Sequence, residues 1–280
     1  MTNLALQPDA AVDLIRARYR QNDPPAVLPP NAVLAGLLSH RSVRAFRETP
    51  LPEGTVETLV AAAQSAASSS NLQVWSVVAV QDPAHKDRLA TLAGNQAFIR
   101  EAPLFLVWLI DFNRLTDVAA GQGGMVEGLD YTESFTLGAV DTALAAQNAT
   151  VAAESLGLGA VYVGAIRNLP AEVAQALDLP PKVFALFGMA VGWPDPGRPT
   201  GIKPRLPQAA VLFRERYGWG DAQRAAVESY NPPIRAFQGE QGMTVQDWTR
   251  QAVNRTRDAA ALAGRHVMRE VLGRLGFRLR

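Results

Sequence analysis

The chain has 280 residues, a hydrophobic content of 48%, a charged content of 19% and a net charge of +1. That supports one large or two small folded domains with a real core, and it excludes general disorder and the strongly basic surface of a nucleic-acid binder. With no cysteine, disulfides, thiolate catalysis and zinc–thiolate sites are excluded as well.

In chain order, residues 1–30 read as an arm ahead of a main domain at 31–280. A short helix is expected at 8–21, with Pro8 in its first turn. Pro24, Pro25, Pro29 and Pro30 then predict a stiff extended linker. Asn31 is a good N-cap for a helix to Ser39. A further helix at 54–67 places Val56, Leu59, Val60 and Ala63 on one face. The run 75–80 predicts a strand, and Asp82-Pro83 opens a helix that Gly94 ends.

The seven apolar residues 104–110 predict a strand buried on both faces; they are far too few to span a bilayer, for which about 18 are needed. Gly-rich 115–130 reads as loop. A long Ala-rich helix is expected at 135–156 with Gly157 behind it, apolar nearly all round, as in a buried central helix or an interface. Strands follow at 160–166 and 183–191, then a Pro/Gly loop at 194–207. After Trp219 the pattern is weak until Thr244, which with Asp247 resembles a capping box for a helix interrupted near Gly264. Helices mixed with strands argue α/β or α+β. The first ten residues carry neither a basic nor an apolar segment, which gives the expectation of no secretory signal.

Side chains with obvious reactive patterns are scarce. His40, His85 and His266 lie far apart and form no metal-binding pattern, and nucleophile-elbow, phosphate-loop and dinucleotide fingerprints are missing. A cofactor is then the natural carrier of any chemistry. Four clusters are candidates. In His40-Arg41-Ser42-Val43-Arg44, forked guanidinium donors and a hydroxyl suit a phosphate. Ser68-Ser69-Ser70-Asn71-Leu72-Gln73 offers polar groups to a heteroaromatic edge. Lys203-Pro204-Arg205 places a lysine, one of only three in the chain, beside an arginine on a stiffened backbone. In Tyr162-Val163-Gly164-Ala165 a glycine at a strand's end admits a ligand to the main chain. Taken singly, each is equally an ordinary solvated loop or strand end.

The order and spacing of these clusters, with AAQNATVAAESLGLGAVYVGAIRN and LFGMAVGWP between them, resemble the flavin-dependent nitroreductase family over about residues 34–230. The similarity is to its oxygen-insensitive NAD(P)H nitroreductase and flavin reductase branch. It implies an α+β fold, a mixed and mainly antiparallel sheet surrounded by helices, in an intertwined homodimer with FMN at the subunit interface. By this resemblance Arg41, Ser42, Lys203 and Arg205 hold the FMN phosphate and ribityl chain, His40 also belongs to the cofactor site, and Arg44 lies by the pyrimidine. Ser68, Ser69, Ser70 and Gln96 touch flavin or substrate, and Tyr162, Val163, Gly164 and Ala165 pass the ring. Arg167 and Arg265 meet substrate.

The implied reaction is ping-pong: NADH or NADPH reduces FMN, and a nitroaromatic, quinone or free flavin takes two electrons. The implied enzyme is cytoplasmic, with neither nucleic acid nor membrane as partner. The alternative is a module that binds FMN for storage or sensing without turnover. One departure from the branch is that 237–248 has no Lys or Arg but has Glu240 and Asp247, which weakens the expected preference for NADPH.

Overall fold

A computed structural model describes residues 8–20, 25, 28 and 31–280, with side chains from 12 onward. The expected Pro-rich linker therefore lies outside the described residues except Pro25 and Leu28, which have no regular secondary structure. The chain forms two compact units, Met1–Arg41 with Thr200–Ala261, and Ser42–Pro199 with Leu262–Arg280.

The second unit is built on a four-stranded antiparallel sheet in the order β1-β2-β4-β3. The strands are β1 (Trp75–Val80), β2 (Leu104–Asp111), β3 (Gly159–Val163) and β4 (Val183–Gly192). Strand β2 runs as the apolar pattern predicts: residues 104–110 are all buried. Alternation divides them between two layers. Phe105, Val107 and Leu109 face one core with Leu89, Ile99 and Ile166. Leu104, Leu106 and Trp108 face the other, against Leu59, Ala145, Ala149 and Ala153. Helices α3 (Thr55–Gln64) and α7 (Thr132–Ser155) supply that second layer, and α4 (Pro83–Leu92), α5 (Ala97–Glu101) and α8 (Pro170–Ala176) the first. Asp82 caps α4 by accepting from His85 N at 2.7 Å.

Small residues let α7 approach the sheet closely. A Cβ on its Gly138 would stand 2.7 Å from Ile110 Cγ2. The helix ends at Gly157, whose φ of +80° is the left-handed turn that glycine favours. Its outer face leaves Val140 and Leu144 exposed. A ring presses even more tightly on the sheet: a Cβ at Gly188 of β4 would lie 2.3 Å from Phe105 Cζ, on a fully buried ring. Gly188→Ala is expected to destabilise by about 1–3 kcal/mol through overpacking. Thermal unfolding checks it, and an unchanged Tm would show that Phe105 has room to move.

Two elements of the second unit differ from the sequence reading. Within 115–130, expected as loop, residues up to Gly121 belong to α6 (Asn113–Gly121). Leu115 packs against the Phe112–Phe184–Phe277 cluster and anchors this short helix, whose periodicity the glycines behind it obscure. The strand expected at 160–166 stops at Val163, and Gly164–Arg167 is a 3₁₀ turn. The turn brings the Arg167 guanidinium back to donate to the carbonyl of Leu186, so that β4 acceptor is met by a side chain instead of a longer β3. The C-terminal helix is interrupted as expected, leaving α12 (Met268–Arg274) on the sheet side of the second unit, with Leu272 in the cluster around Phe277.

The first unit is helical: α1 (Pro8–Tyr19), α2 (Ala32–Ser39), α9 (Asp221–Glu228), α10 (Asn231–Glu240) and α11 (Trp248–Thr256). Asn31 caps α2 as predicted, accepting from Leu34 N at 3.0 Å. Helices α9 and α10 lie in the stretch where the sequence pattern is weak; Pro232 and Pro233 occupy the first turn of α10, where a missing N–H costs nothing. Tyr230, Ile234 and Phe237 form its core with Leu206 and Trp248. The Thr244–Asp247 capping box does not form: α11 starts after Asp247, whose carboxylate is paired with Arg235.

Among the described residues no helix is long and apolar enough to cross a membrane, and no group of three or more His, Asp or Glu residues is arranged to hold a metal.

Candidate functional site

Each unit carries its own part of the predicted site. In the first unit the backbone segments of the two basic clusters are tied to one buried side chain. Arg18, near the end of α1, is 8% exposed and donates from Nη2 to the carbonyls of Leu38 and His40, both at 2.8 Å. Its Nη1 donates to the carbonyl of Lys203 at 2.9 Å. Tyr230 Oη donates to the carbonyl of Pro204 at 2.7 Å, holding the middle of Lys203-Pro204-Arg205. His40 and Lys203 are half-buried, and Arg41 and Arg205 exposed.

Lys203 and Arg205 line a cavity of about 680 Å³ with Tyr19, Tyr230, Trp248 and Arg255 among its walls. Two cations on a stiff turn beside a roomy cavity suit a phosphate ester. The backbone of residues 200–203 is held from below, where Gly201 N donates to Gln241 Oε1 at 2.9 Å.

The acidic window 237–248 is not a pair of free negative charges. Glu240 accepts both terminal nitrogens of Arg20, at 2.7 and 2.8 Å, which holds its carboxyl below the usual range. Asp247 is paired with Arg235. Arg20, which sequence distance hides, thus offsets the charge of Glu240.

In the second unit, Ser42 forms a bridge to Ala160 of β3, which sets Ser42 and Arg44 beside that strand. Burial of its guanidinium holds Arg44 below its ordinary value. Along β3, Tyr162 stacks edge-on to Phe187 at 5.3 Å with its Oη 2.9 Å from Thr150 Oγ1, and burial raises its phenol. Val163 and Ala165 are buried, and Gly164 is half-buried at the strand's end. A Cβ there would lie 3.5 Å from an Arg167 nitrogen and 3.8 Å from an Arg265 nitrogen. The structure thus brings Gly164, Arg167 and Arg265 together, although nearly a hundred residues separate the two arginines.

Arg265 is aimed by Asn168, whose Oδ1 accepts from its Nε at 2.9 Å. Burial first, and then the charge of Arg265, hold Arg167 below its ordinary value. Two guanidiniums facing one space repel each other, and an anion between them turns that repulsion into attraction.

The serine cluster has a different organisation. Ser68 Oγ donates to Asp141 Oδ2 at 2.8 Å and accepts from Gln73 N at 3.0 Å, so its hydroxyl is committed within the protein. Ser69 N also donates to Asp141, at 3.2 Å. Ser69 and Ser70 are exposed, and Ser70, Asn71 and Gln73 all have φ near +50°, a strained run that the Asp141 anchor holds in place. Asp141 was not singled out from the sequence; its signal is an acid within the Ala-rich helix α7. Gln96 is half-buried, with Nε2 donating to the carbonyl of Ala93 at 3.3 Å.

The sequence signature of the nitroreductase family matches residues 37–193, and that of the nitroreductase family C-terminal domain matches 203–280. The chain belongs to the nitroreductase family. It is 38% identical to an FMN reductase (NADPH) of Bacillus subtilis, over 80% of this chain and 91% of that protein. It is 42% identical to an oxygen-insensitive NADPH nitroreductase of Salmonella typhimurium, over 65% and 72% of the two chains. Among solved structures, the NADPH:FMN oxidoreductase of Vibrio harveyi complexed with NAD⁺ superposes with a TM-score of 0.79 at 34% identity, covering 89% of this chain and 99% of that one. Nitroreductase membership fits the antiparallel sheet and its helical layers, and it places α1 ahead of both matched segments.

Proposed function

We propose that this nitroreductase-family oxidoreductase binds FMN and transfers two electrons from NADH or NADPH to a small acceptor, a nitroaromatic, quinone or free flavin. The observation that carries the reading is the arginine pair at Gly164, two cations beside a half-buried glycine just past the end of β3. The residues fit the cofactor: Lys203 and Arg205 beside a cavity suit its phosphate, and Gly164 keeps backbone and cations accessible to a flat ring. Bound FMN supplies the hydride-accepting and electron-donating chemistry.

In this reading the chain's own groups bind and orient. His40, Arg41, Ser42, Lys203 and Arg205 hold the phosphate and ribityl chain within the domain 31–280, and Arg44 stabilises negative charge on the pyrimidine side. Tyr162, Val163, Gly164 and Ala165 present their main chain to the ring. Ser69, Ser70 and Gln96 contact flavin or substrate, while Ser68 acts by shaping the loop through Asp141. Arg167 and Arg265 draw in the anionic part of nucleotide or acceptor. The reaction belongs in the cytoplasm, where reduced nucleotides are generated.

The purified protein is expected to be yellow and to bleach on anaerobic addition of either nucleotide. A colourless protein that takes up no FMN would reject the reading, and a yellow one that neither nucleotide bleaches would favour the storage or sensing module. Because Glu240 and Asp247 are both neutralised within the chain, kcat/KM for NADPH and NADH is expected to differ by less than about 100-fold, the equivalent of about 2.7 kcal/mol.

The same proposal includes a homodimer. The exposed Val140 and Leu144 on a 24-residue helix support it, since a helix that is apolar on its outer face needs a partner. Light scattering at micromolar concentration should return twice the chain mass; a monomer mass would remove the dimer from the reading.

A further inference from the structure

We infer that Arg18 is a positioning residue for the flavin phosphate, an inference that rests on the assignment of Arg41, Lys203 and Arg205 to that phosphate. Its guanidinium is buried, and its donors satisfy the carbonyls of Leu38, His40 and Lys203 at 2.8–2.9 Å. Its own carbonyl accepts from Arg205 N at 2.9 Å. One residue therefore grips the main chain at both ends of Lys203-Pro204-Arg205, with its side chain at one end and its backbone at the other. It also fixes the main chain immediately before Arg41. The next residue, Tyr19, forms a wall of the cavity that Lys203 and Arg205 line.

The chemistry demands an arginine. Three carbonyls from two segments distant in sequence converge on one fork, and only a planar group with several fixed donors meets them together. Burying the charge is offset by those acceptors, so the arrangement holds only while all of them are engaged. The consequence is that α1, which precedes both segments matched by the nitroreductase signatures, sets the spacing between two groups of phosphate-binding cations. Arg18 touches no flavin in this account. It acts by holding the backbone from which Arg41, Lys203 and Arg205 project.

The test compares FMN with riboflavin, which has the same ring and ribityl chain but no phosphate. Both are titrated by flavin fluorescence into the full-length chain freed of cofactor. Arg18→Met, similar in length but uncharged, is expected to raise the FMN Kd by about 10- to 100-fold, the scale on which small misplacements of binding groups act. The riboflavin Kd should change less than about twofold, because the ring contacts do not depend on that fork. Arg18→Lys should fall between, since an ammonium keeps the charge but not the fork. A purely structural role would weaken both ligands alike, so a riboflavin-to-FMN affinity ratio unchanged in Arg18→Met overturns the inference. If Arg18→Met does not yield folded protein, Arg18→Lys carries the same comparison with the same criterion. The double variant Lys203→Ala/Arg205→Ala separates the two layers of the argument. A ratio that collapses there but not in Arg18→Met rejects only the role of Arg18; a ratio that survives in the double variant rejects the phosphate assignment itself.

Discussion

Replacing Lys203 and Arg205 together by alanine is expected to strip the cofactor, giving a nearly colourless protein that retains its fold. The two cations line one cavity, and the main chain that carries them is fixed by Arg18, Tyr230 and Gln241 through contacts that the substitutions leave in place. The change thus removes charge without removing the loop. Hydrogen bonds to charged groups contribute about 1.5–3 kcal/mol each, so losing two should weaken FMN by at least about 3 kcal/mol, roughly 100-fold or more. Their proposed partner is a phosphate dianion, for which such bonds are strongest. Flavin content after purification, together with the far-ultraviolet circular dichroism of the variant, checks this. Full occupancy in a folded double variant would show that the phosphate is held elsewhere.

Arg265→Ala is expected to lower kcat/KM for the pyridine nucleotide by about 10- to 100-fold, mostly through KM. The loss of one charged contact, about 1.5–3 kcal/mol, sets that range. Uniform binding to a charged group raises KM and leaves kcat almost untouched. The geometry supplies the reason. Arg265 and Arg167 both approach Gly164, and the charge of Arg265 adds to burial in raising the cost of keeping Arg167 charged. An incoming anion relieves that cost, so its binding draws on both guanidiniums at once. Removing Arg265 relaxes Arg167 and leaves the anion one partner. Arg265→Lys should recover only part of the loss, because the Asn168 side chain orients a guanidinium Nε, for which an ammonium has no equivalent. Values of kcat/KM within twofold of the parent for both nucleotides would remove Arg265 from the site.

Much of this fold was legible in the sequence because its signals are local. The run 104–110 announces a doubly buried strand, and Asn31, Asp82 and Gly157 mark helix ends by chemistry that acts within a turn. The basic make-up of the two clusters and the glycine at the end of β3 were also readable, since they rest on residue type and near neighbours. The missed elements are those whose local signal points the wrong way. Pro232 and Pro233 look like breakers until the helix is seen to begin at them, and α6 is held by Leu115 against an aromatic cluster assembled from three distant segments.

The contacts that the sequence could not supply act across long chain separations. Arg18 meets Lys203, Arg20 neutralises Glu240, Asp141 holds Ser68, and Arg265 reaches Gly164. Periodicity and propensity decide which residues are helical and which are buried, since both depend on neighbours three or four positions away. Which charge faces which, and hence whether an acid repels a ligand or is already paired, depends on distances of a few ångströms between residues far apart in sequence. The sequence by itself therefore determined the strands, the main helices and the kinds of groups available for binding. Only the tertiary structure decided which of those groups are committed to the protein and which stay exposed, because that partition is made by packing.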